Sequence, residues 1–280
     1  MGSGISTVCA LAGYPVAVSD VSPQILDRCL KKIRRNLDIL VEAKEITGAQ
    51  ANDAMGRVRA AADLKEAIAG ADLMIEAVPE QLELKQEVFV NVEALARPDA
   101  ILASNASGLP TTEIAAGCRT PERVVGIHFF QPPYILRVVE AIRGKKTSDE
   151  TFENSVAFIE SLGSVPIRVL VDRRSFVINA LQQAVRKEAA ALLEAGIASR
   201  TDIEKAALYC MGIKYATYGF FKSGDLTSPM SPLRKGEVQG EGLSYDYSEY
   251  GPEEAFRRRD LAFIEAARAA AAIRKAYPLD

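Results

Sequence analysis

Met1-Gly2-Ser3-Gly4-Ile5-Ser6-Thr7-Val8-Cys9-Ala10-Leu11-Ala12-Gly13-Tyr14-Pro15-Val16-Ala17-Val18-Ser19-Asp20 opens the chain, and the order of its features decides the fold. A glycine-rich start runs into small apolar residues that read as a helix ending at Gly13. Residues 15–19 then read as a strand that stops at Asp20. Working outward, Ser22 before Pro23 starts a helix that carries Ile25, Leu26, Cys29, Leu30, Ile33, Leu37, Leu40 and Val41 at helical spacing. Strands are expected at 58–61, 73–78, 101–104, 124–128, 138–142 and 167–171, with helices at 64–69, 84–95 and 151–162 among them. Strand and helix in turn predict an α/β fold with a doubly wound, mostly parallel sheet covered by helices on both faces. Past Asp172 the pattern turns helical, at 176–195, 202–210 and 253–275, with a Gly/Pro/Ser-rich stretch at 222–247 that reads as loop. Two domains are therefore expected, residues 1–173 and residues 174–280.

With 280 residues, 48% hydrophobic and 25% charged, the chain can bury a sizeable core, and disordered and fibrous classes are disfavoured. Lys plus Arg number 34 against 37 Asp plus Glu, a formal net charge of −3 without the basic excess of a nucleic-acid binder. Apolar stretches fall short of the ~20 residues of a membrane helix, and no secretory leader is apparent, so no nucleic acid and no membrane partner is expected and the location is expected to be cytoplasmic. Cys9, Cys29, Cys118 and Cys210 show no metal-ligand spacing, so no metal is expected and the thiols are expected to be free and mostly buried.

The first βαβ-like unit suggests a dinucleotide site in a Rossmann-like domain. A helix that begins at Gly2 and Gly4 can meet a pyrophosphate with its N-terminus, and a carboxylate 18 positions beyond Gly2, at the tip of a strand, can hold the adenosine ribose. Asp20 has that place, and its charge would repel a 2′-phosphate, which favours NAD over NADP. Taken alone, these glycines and Asp20 read equally as turn residues. Glu80 follows the strand 73–78, and Lys85 opens the next helix; alone they read as a solvated ion pair at a helix start.

At Ala103-Ser104-Asn105-Ala106-Ser107-Gly108-Leu109 and Val125-Gly126-Ile127-His128-Phe129-Phe130-Gln131-Pro132 the sequence resembles the 3-hydroxyacyl-CoA dehydrogenase family. Gly2-Ser3-Gly4-Ile5, Ile75-Glu76-Ala77, Val139-Glu140 and the helix around Asn179 extend the similarity over nearly the whole chain. The resemblance implies an NAD-dependent Rossmann domain followed by a helical substrate and dimerisation domain, hence a homodimer that oxidises a secondary alcohol of a small-molecule substrate to a ketone. Ser107, His128, Glu140 and Asn179 match the family's catalytic positions; Gly2, Gly4, Asp20, Glu80, Lys85 and Asn105 match positions that line the NAD site. His128 is the only histidine, and Glu140 lies 12 residues beyond it on the next expected strand. An imidazole titrating near neutrality suits proton transfer, and a carboxylate on its other nitrogen would fix the tautomer. Singly, Ser107 reads also as a turn residue, Glu140 as a strand-end charge and Asn179 as a polar helix residue.

Three departures qualify that likeness. The family has a strand and a glycine-rich turn ahead of the residue that matches Met1, so a further ~10 or more residues upstream are expected, and the chain starting at Met1 is expected to bind NAD weakly or not at all. After Asp225-Leu226 the family carries a further helical stretch, whereas this chain passes to Leu233-Arg234-Lys235-Gly236 and Gly240-Glu241-Gly242-Leu243. Asp172-Arg173-Arg174-Ser175-Phe176 stands where the family has Pro-Gly before the phenylalanine; the two arginines read as linker charges or as an attraction for an acidic substrate group. Lys31-Lys32-Ile33-Arg34-Arg35 and Arg257-Arg258-Arg259 read as solvated helix faces, the first run alternatively as a contact for a coenzyme A phosphate. Pro132-Pro133-Tyr134-Ile135 looks more like relatives acting on small alcohols without CoA, of carnitine, gulonate or pyridine carboxylate type. A catalytically silent relative with impaired cofactor binding is the competing expectation from another class.

Overall fold

The computed structural model describes residues 1–241 and 243–276; Gly242, within the stretch read as loop, and residues 277–280 lie outside the described residues. The chain divides into two compact units, Met1–Gln183 and Ala184–Asp280. The first unit begins with α1 (Gly2–Leu11), β1 (Val16–Val18), α2 (Pro23–Glu42), α3 (Gly48–Gly56), β2 (Val58–Ala60) and α4 (Leu64–Ile68). It continues with β3 (Leu73–Glu76), α5 (Leu82–Leu95), β4 (Ile101–Ser104), α6 (Thr111–Ile114), β5 (Val124–Phe129), β6 (Val138–Ile142), α7 (Asp149–Ser161) and β7 (Val165–Val169). Helix α8 (Ile178–Glu194) starts in this unit and ends in the second.

This is the expected Rossmann-like alternation, but its strands form two sheets rather than one. β1 pairs in parallel with β2, Val16 opposite Val58, and a separate five-stranded sheet has the order β3-β4-β5-β6-β7. β3, β4 and β5 run parallel; β6 is antiparallel to β5, and β7 is parallel to β6. Helix α1 serves both sheets: Ile5, Val8 and Cys9 share a core cluster against which Val16 of β1 and Leu73 and Ile75 of β3 pack.

The central strands are largely apolar because both their faces are covered. Ala103, Val125, Ile127 and Phe129 pack with α1 and with Phe152, Val156 and Ile159 of α7, while Leu102 and Val124 meet Phe89, Val92 and Ile114 of α5 and α6. Each large side chain buried this way is worth ~1.5–3 kcal/mol. Gly126 has no room for a side chain: a Cβ there would stand 2.8 Å from Ile142 Cβ and 2.9 Å from Thr111 Oγ1. Helix α3, absent from the sequence reading, starts at a capping box in which the Thr47 hydroxyl accepts from Gln50 N and the Gln50 side chain accepts from Thr47 N.

The second unit contains α9 (Arg200–Ala206), which continues as a π-helical turn through Met211, then α10 (Gly212–Thr227), broken at Gly219 (φ 64°, ψ −164°), and α11 (Gly251–Ala276). The expected loop at 222–247 is therefore corrected: it begins as helix up to Thr227, turns again at Pro232–Lys235, and delivers Leu226, Leu233 and Tyr247 to the unit's own core beside Ala255. Buried Asp225 holds this segment, accepting from Ser244 N (3.0 and 3.2 Å) and from the Tyr247 hydroxyl (3.1 Å). All four cysteines are free, but Cys9 alone is buried, Cys29 and Cys118 are half-buried and Cys210 is exposed, against the expectation of mostly buried thiols. Among the described residues no helix is long and apolar enough to cross a membrane.

Candidate active site

The antiparallel register of β5 and β6 sets His128 directly opposite Glu140, and both are buried. Nδ1 of His128 lies 2.8 Å from Glu140 Oε2. An ionised carboxylate only accepts hydrogen bonds, so Nδ1 carries the proton and Nε2 keeps its lone pair. Nε2 stands 3.2 Å from Ser107 Oγ, the hydroxyl donating to it. Two aromatic rings flank the imidazole, Phe130 with its centroid at 4.5 Å and buried Phe176 at 5.6 Å.

The second oxygen of Glu140, Oε1, accepts from Val177 N (2.9 Å) and Ile178 N (2.8 Å), at the positive end of α8. The chain reaches that position through Ser175 (φ 66°) and Phe176 (φ 43°), two consecutive non-glycine residues in the left-handed region. Such residues cost on the order of 1–3 kcal/mol each. Burial of Phe176 and two charge-assisted hydrogen bonds to Glu140 offset that strain.

The turn after β4 is tied down on every side. Asn105 Oδ1 accepts from Phe129 N (2.9 Å), and Asn179 Nδ2 donates to Ser107 O (3.1 Å). Glu80 Oε1 accepts from the amides of Ser107 (2.9 Å), Gly108 (2.8 Å) and Leu109 (3.3 Å). Lys85 is 1% exposed; its ammonium donates to Glu76 Oε1 at 2.7 Å and to Val78 O at 3.2 Å, with Glu80 Oε2 at 3.5 Å. The solvated Glu80–Lys85 pair of the sequence reading is thus corrected: the principal partner is Glu76, and that pair is buried. Arg174, one of the two junction arginines, pairs with Glu113 at 3.1 Å.

The structure therefore brings Ser107, His128, Glu140 and Asn179 into one hydrogen-bonded cluster, with Asn105, Glu80 and Lys85 behind the Ser107 turn. Gly2, Gly4 and Asp20 stand apart from that cluster, at the start of α1 and beyond the end of β1. Gly4 lies against the loop after β5, where a Cβ would come within 2.7 Å of Pro133 Cδ, so the backbone of α1 approaches the carboxyl edge of the sheet as closely as it can. Glu76, Ser104 and Phe176 stand in motifs noted in the sequence but not among its expected site residues, and the amides of Val177 and Ile178 were not singled out. Glu76 carried a signal, an acid closing the apolar run Leu73–Ile75; two backbone amides carry none.

The donors at this edge fit a dinucleotide. At the start of α1, Gly4 N donates to Met1 O at 2.9 Å, which leaves the N–H groups of Gly2 and Ser3 without a backbone acceptor, and on the Gly2 side a Cβ would meet nothing within 4 Å. Asp20 presents an exposed carboxylate, of which Oδ1 accepts from Val21 N at 2.8 Å. Lys85, by contrast, directs its ammonium into the protein.

Residues 1–173 match the family model described as 3-hydroxyacyl-CoA dehydrogenase, NAD binding domain. The chain is 34% identical over 220 residues to the 5-formyl-3-hydroxy-2-methylpyridine 4-carboxylate 5-dehydrogenase of Mesorhizobium japonicum, covering 78% of this chain and 70% of that protein. It is 37% identical over 206 residues to a 3-hydroxybutyryl-CoA dehydrogenase of Bradyrhizobium diazoefficiens, covering 74% of this chain and 70% of that one. Among solved structures, (S)-3-hydroxybutyryl-CoA dehydrogenase from Ralstonia eutropha superposes with a TM-score of 0.71 at 31% identity, over 75% of this chain and 74% of its own.

Proposed function

Because the chain belongs to the 3-hydroxyacyl-CoA dehydrogenase family, an NAD-dependent oxidoreductase family, we propose that it interconverts the secondary alcohol of a 3-hydroxyacyl-CoA, or of a related 3-hydroxy acid, and the corresponding ketone. The observation that carries this reading is the buried imidazole held between Glu140 at 2.8 Å and Ser107 at 3.2 Å. Nε2, with its lone pair toward Ser107, accepts the proton of the substrate hydroxyl and returns it in the reverse direction. Glu140 keeps the ring in that tautomer and stabilises the imidazolium. Ser107 donates to the reacting oxygen, and Asn179, anchored on Ser107 O, keeps that donor in place. When bound, NAD supplies the hydride acceptor at its nicotinamide. Gly2 and Gly4 at the start of α1 would receive the pyrophosphate and Asp20 the ribose hydroxyls, with Glu80, Lys85 and Asn105 shaping the same edge.

In this reading residues 1–173 form the NAD-binding domain and residues 174–280 the substrate and dimerisation domain of a cytoplasmic homodimer. Helix α8, which has no buried residue and exposes Leu181 and Val185, supports a dimer contact. A second reading, a dehydrogenase of a small alcohol without CoA, is favoured by the Mesorhizobium relative together with the Pro132-Pro133-Tyr134-Ile135 stretch.

The first reading is tested by oxidation of NADH by the purified protein with acetoacetyl-CoA, with free acetoacetate and with no acceptor, repeated with NADPH. Turnover with the thioester and NADH is expected, with NADPH poorer because Asp20 repels the extra phosphate. Turnover with acetoacetate and not with the thioester selects a free 3-hydroxy acid over a CoA thioester. No oxidation with either acceptor overturns the first reading; the second is decided by NAD reduction with carnitine-, gulonate- and pyridine carboxylate-type alcohols, and no reduction with any of them overturns it.

A further inference from the structure

Residues 105–109, the turn that carries Ser107, present five consecutive backbone N–H groups, and each has an acceptor. Asn105 N donates to Glu76 O (2.9 Å), Ala106 N to Ser104 Oγ (3.2 Å), and the amides of Ser107, Gly108 and Leu109 converge on Glu80 Oε1. Successive amides that converge on one point form an anion site; here the anion is the protein's own carboxylate. The Glu80 side chain is 42% exposed, and its other oxygen lies 3.5 Å from the Lys85 ammonium, whose charge draws it toward the protein.

Lys85 lies in the first turn of α5, where the helix dipole disfavours a cation. Its burial there is explained by the oxygens around it. An ammonium has three donors, and Glu76 Oε1, Val78 O and Glu80 Oε2 are the three acceptors within reach. Glu76 is fixed in turn, Oε1 accepting from Val78 N at 2.6 Å and Oε2 from the Ser104 hydroxyl at 2.7 Å. Ser104 Oγ closes the circuit by accepting from Ala106 N, one residue before Ser107.

We infer that Glu80 and Lys85 are positioning residues for Ser107: Lys85 clamps Glu76 and Glu80, Glu80 gathers the three amides, and the turn so fixed holds the Ser107 hydroxyl against Nε2 of His128. The inference rests on the proposed roles of Ser107 and His128, and it gives Glu80 and Lys85 work distinct from direct contact with NAD.

His128 is the only histidine, so imidazole 15N labelling yields a spectrum of one residue. The variants are Ser107→Ala, Glu80→Ala, Glu80→Gln and the double variant S107A/E80A; Glu80 is the half-exposed member of the chain, and its truncation leaves the buried Glu76–Lys85 pair intact. Glu80→Ala is expected to move the Nε2 resonance toward its position in Ser107→Ala, with no further movement in the double variant. Glu80→Gln, which keeps an acceptor oxygen, restores much of the wild-type position. In acetoacetyl-CoA reduction, Glu80→Ala is expected to lower kcat by ~10-fold or more with little change in KM for NADH, and to cost almost nothing in the Ser107→Ala background. An unmoved Nε2 resonance in Glu80→Ala, a loss that adds in full to that of Ser107→Ala, or a loss confined to KM for NADH overturns the inference while leaving the proposed function standing. An Nε2 resonance unmoved by Ser107→Ala itself strikes at the Ser107–His128 pairing and hence at the proposed function.

Discussion

Glu140 divides its two oxygens between an imidazole and the first amides of α8, and everything it faces is a donor. A glutamine there has the same shape but must turn an NH2 toward one of those donors, either His128 Nδ1–H or the two amides. Glu140→Gln is therefore expected to fold less stably by ~1–3 kcal/mol, because a buried donor loses its partner. It is also expected to lose turnover by ~10²-fold or more, because the ring is released from the productive tautomer. Urea unfolding and steady-state kinetics on the same preparations check the two effects. Unchanged turnover would remove Glu140 from the site. The pairing of His128 with Glu140 was legible because a lone histidine and an acid faced each other across two expected strands. The exchange of Lys85 from Glu80 to Glu76 was not, because which side of a helix turn is buried does not show in residue spacing.

Among the elements, the join between α5 and β5 shows how a surface carboxylate can order a connection. Glu93, near the end of α5, accepts from Arg119 N (2.9 Å), Thr120 N (2.7 Å) and the Thr120 hydroxyl (2.6 Å). Burial alone would push its carboxyl up, but these hydrogen bonds and the Arg123 charge outweigh it and hold the carboxyl below its usual range. A carboxyl whose pKa is depressed on folding adds stability above its unfolded pKa, and that contribution is lost as the pH falls through the folded value. Glu93→Gln is thus expected to lower stability at neutral pH by roughly 0.5–1 kcal/mol, discounted for solvent screening at a half-exposed group. The gap from wild type should close in acid, where wild-type Glu93 is itself protonated; thermal melts across pH show it, and a gap that stays constant with pH contradicts it. Among the elements best read from sequence were strands β4 and β5, buried but for Ile101 and largely apolar on both faces. Helix α10 escaped because Gly212, Gly219 and Gly224 interrupt its pattern and the chain does break at Gly219. Helix α3 is nine residues long and only weakly apolar, and its signal was the Thr47–Gln50 cap rather than any periodicity.

Across the whole molecule, the side chains proposed for chemistry sit where parallel strands of the first unit end: Ser107 after β4, His128 near the end of β5, Glu80 after β3, with Asp20 after β1. That placement is a property of open α/β sheets, whose strands all deliver their following loops to one edge. It is why the edge could be anticipated from the strand and helix alternation, whereas the fine anchoring of the Ser107 turn depends on contacts between β3, β4 and α5 that only the folded chain reveals. The proposed chemistry needs one imidazole, and one comparison tests it: NADH oxidation with acetoacetyl-CoA by the wild type and by His128→Gln, with NADH affinity measured on both. A fall in turnover of ~10²–10⁴-fold with NADH affinity unchanged is expected; a His128→Gln protein that turns over at the wild-type rate rules His128 out as the proton-transfer group.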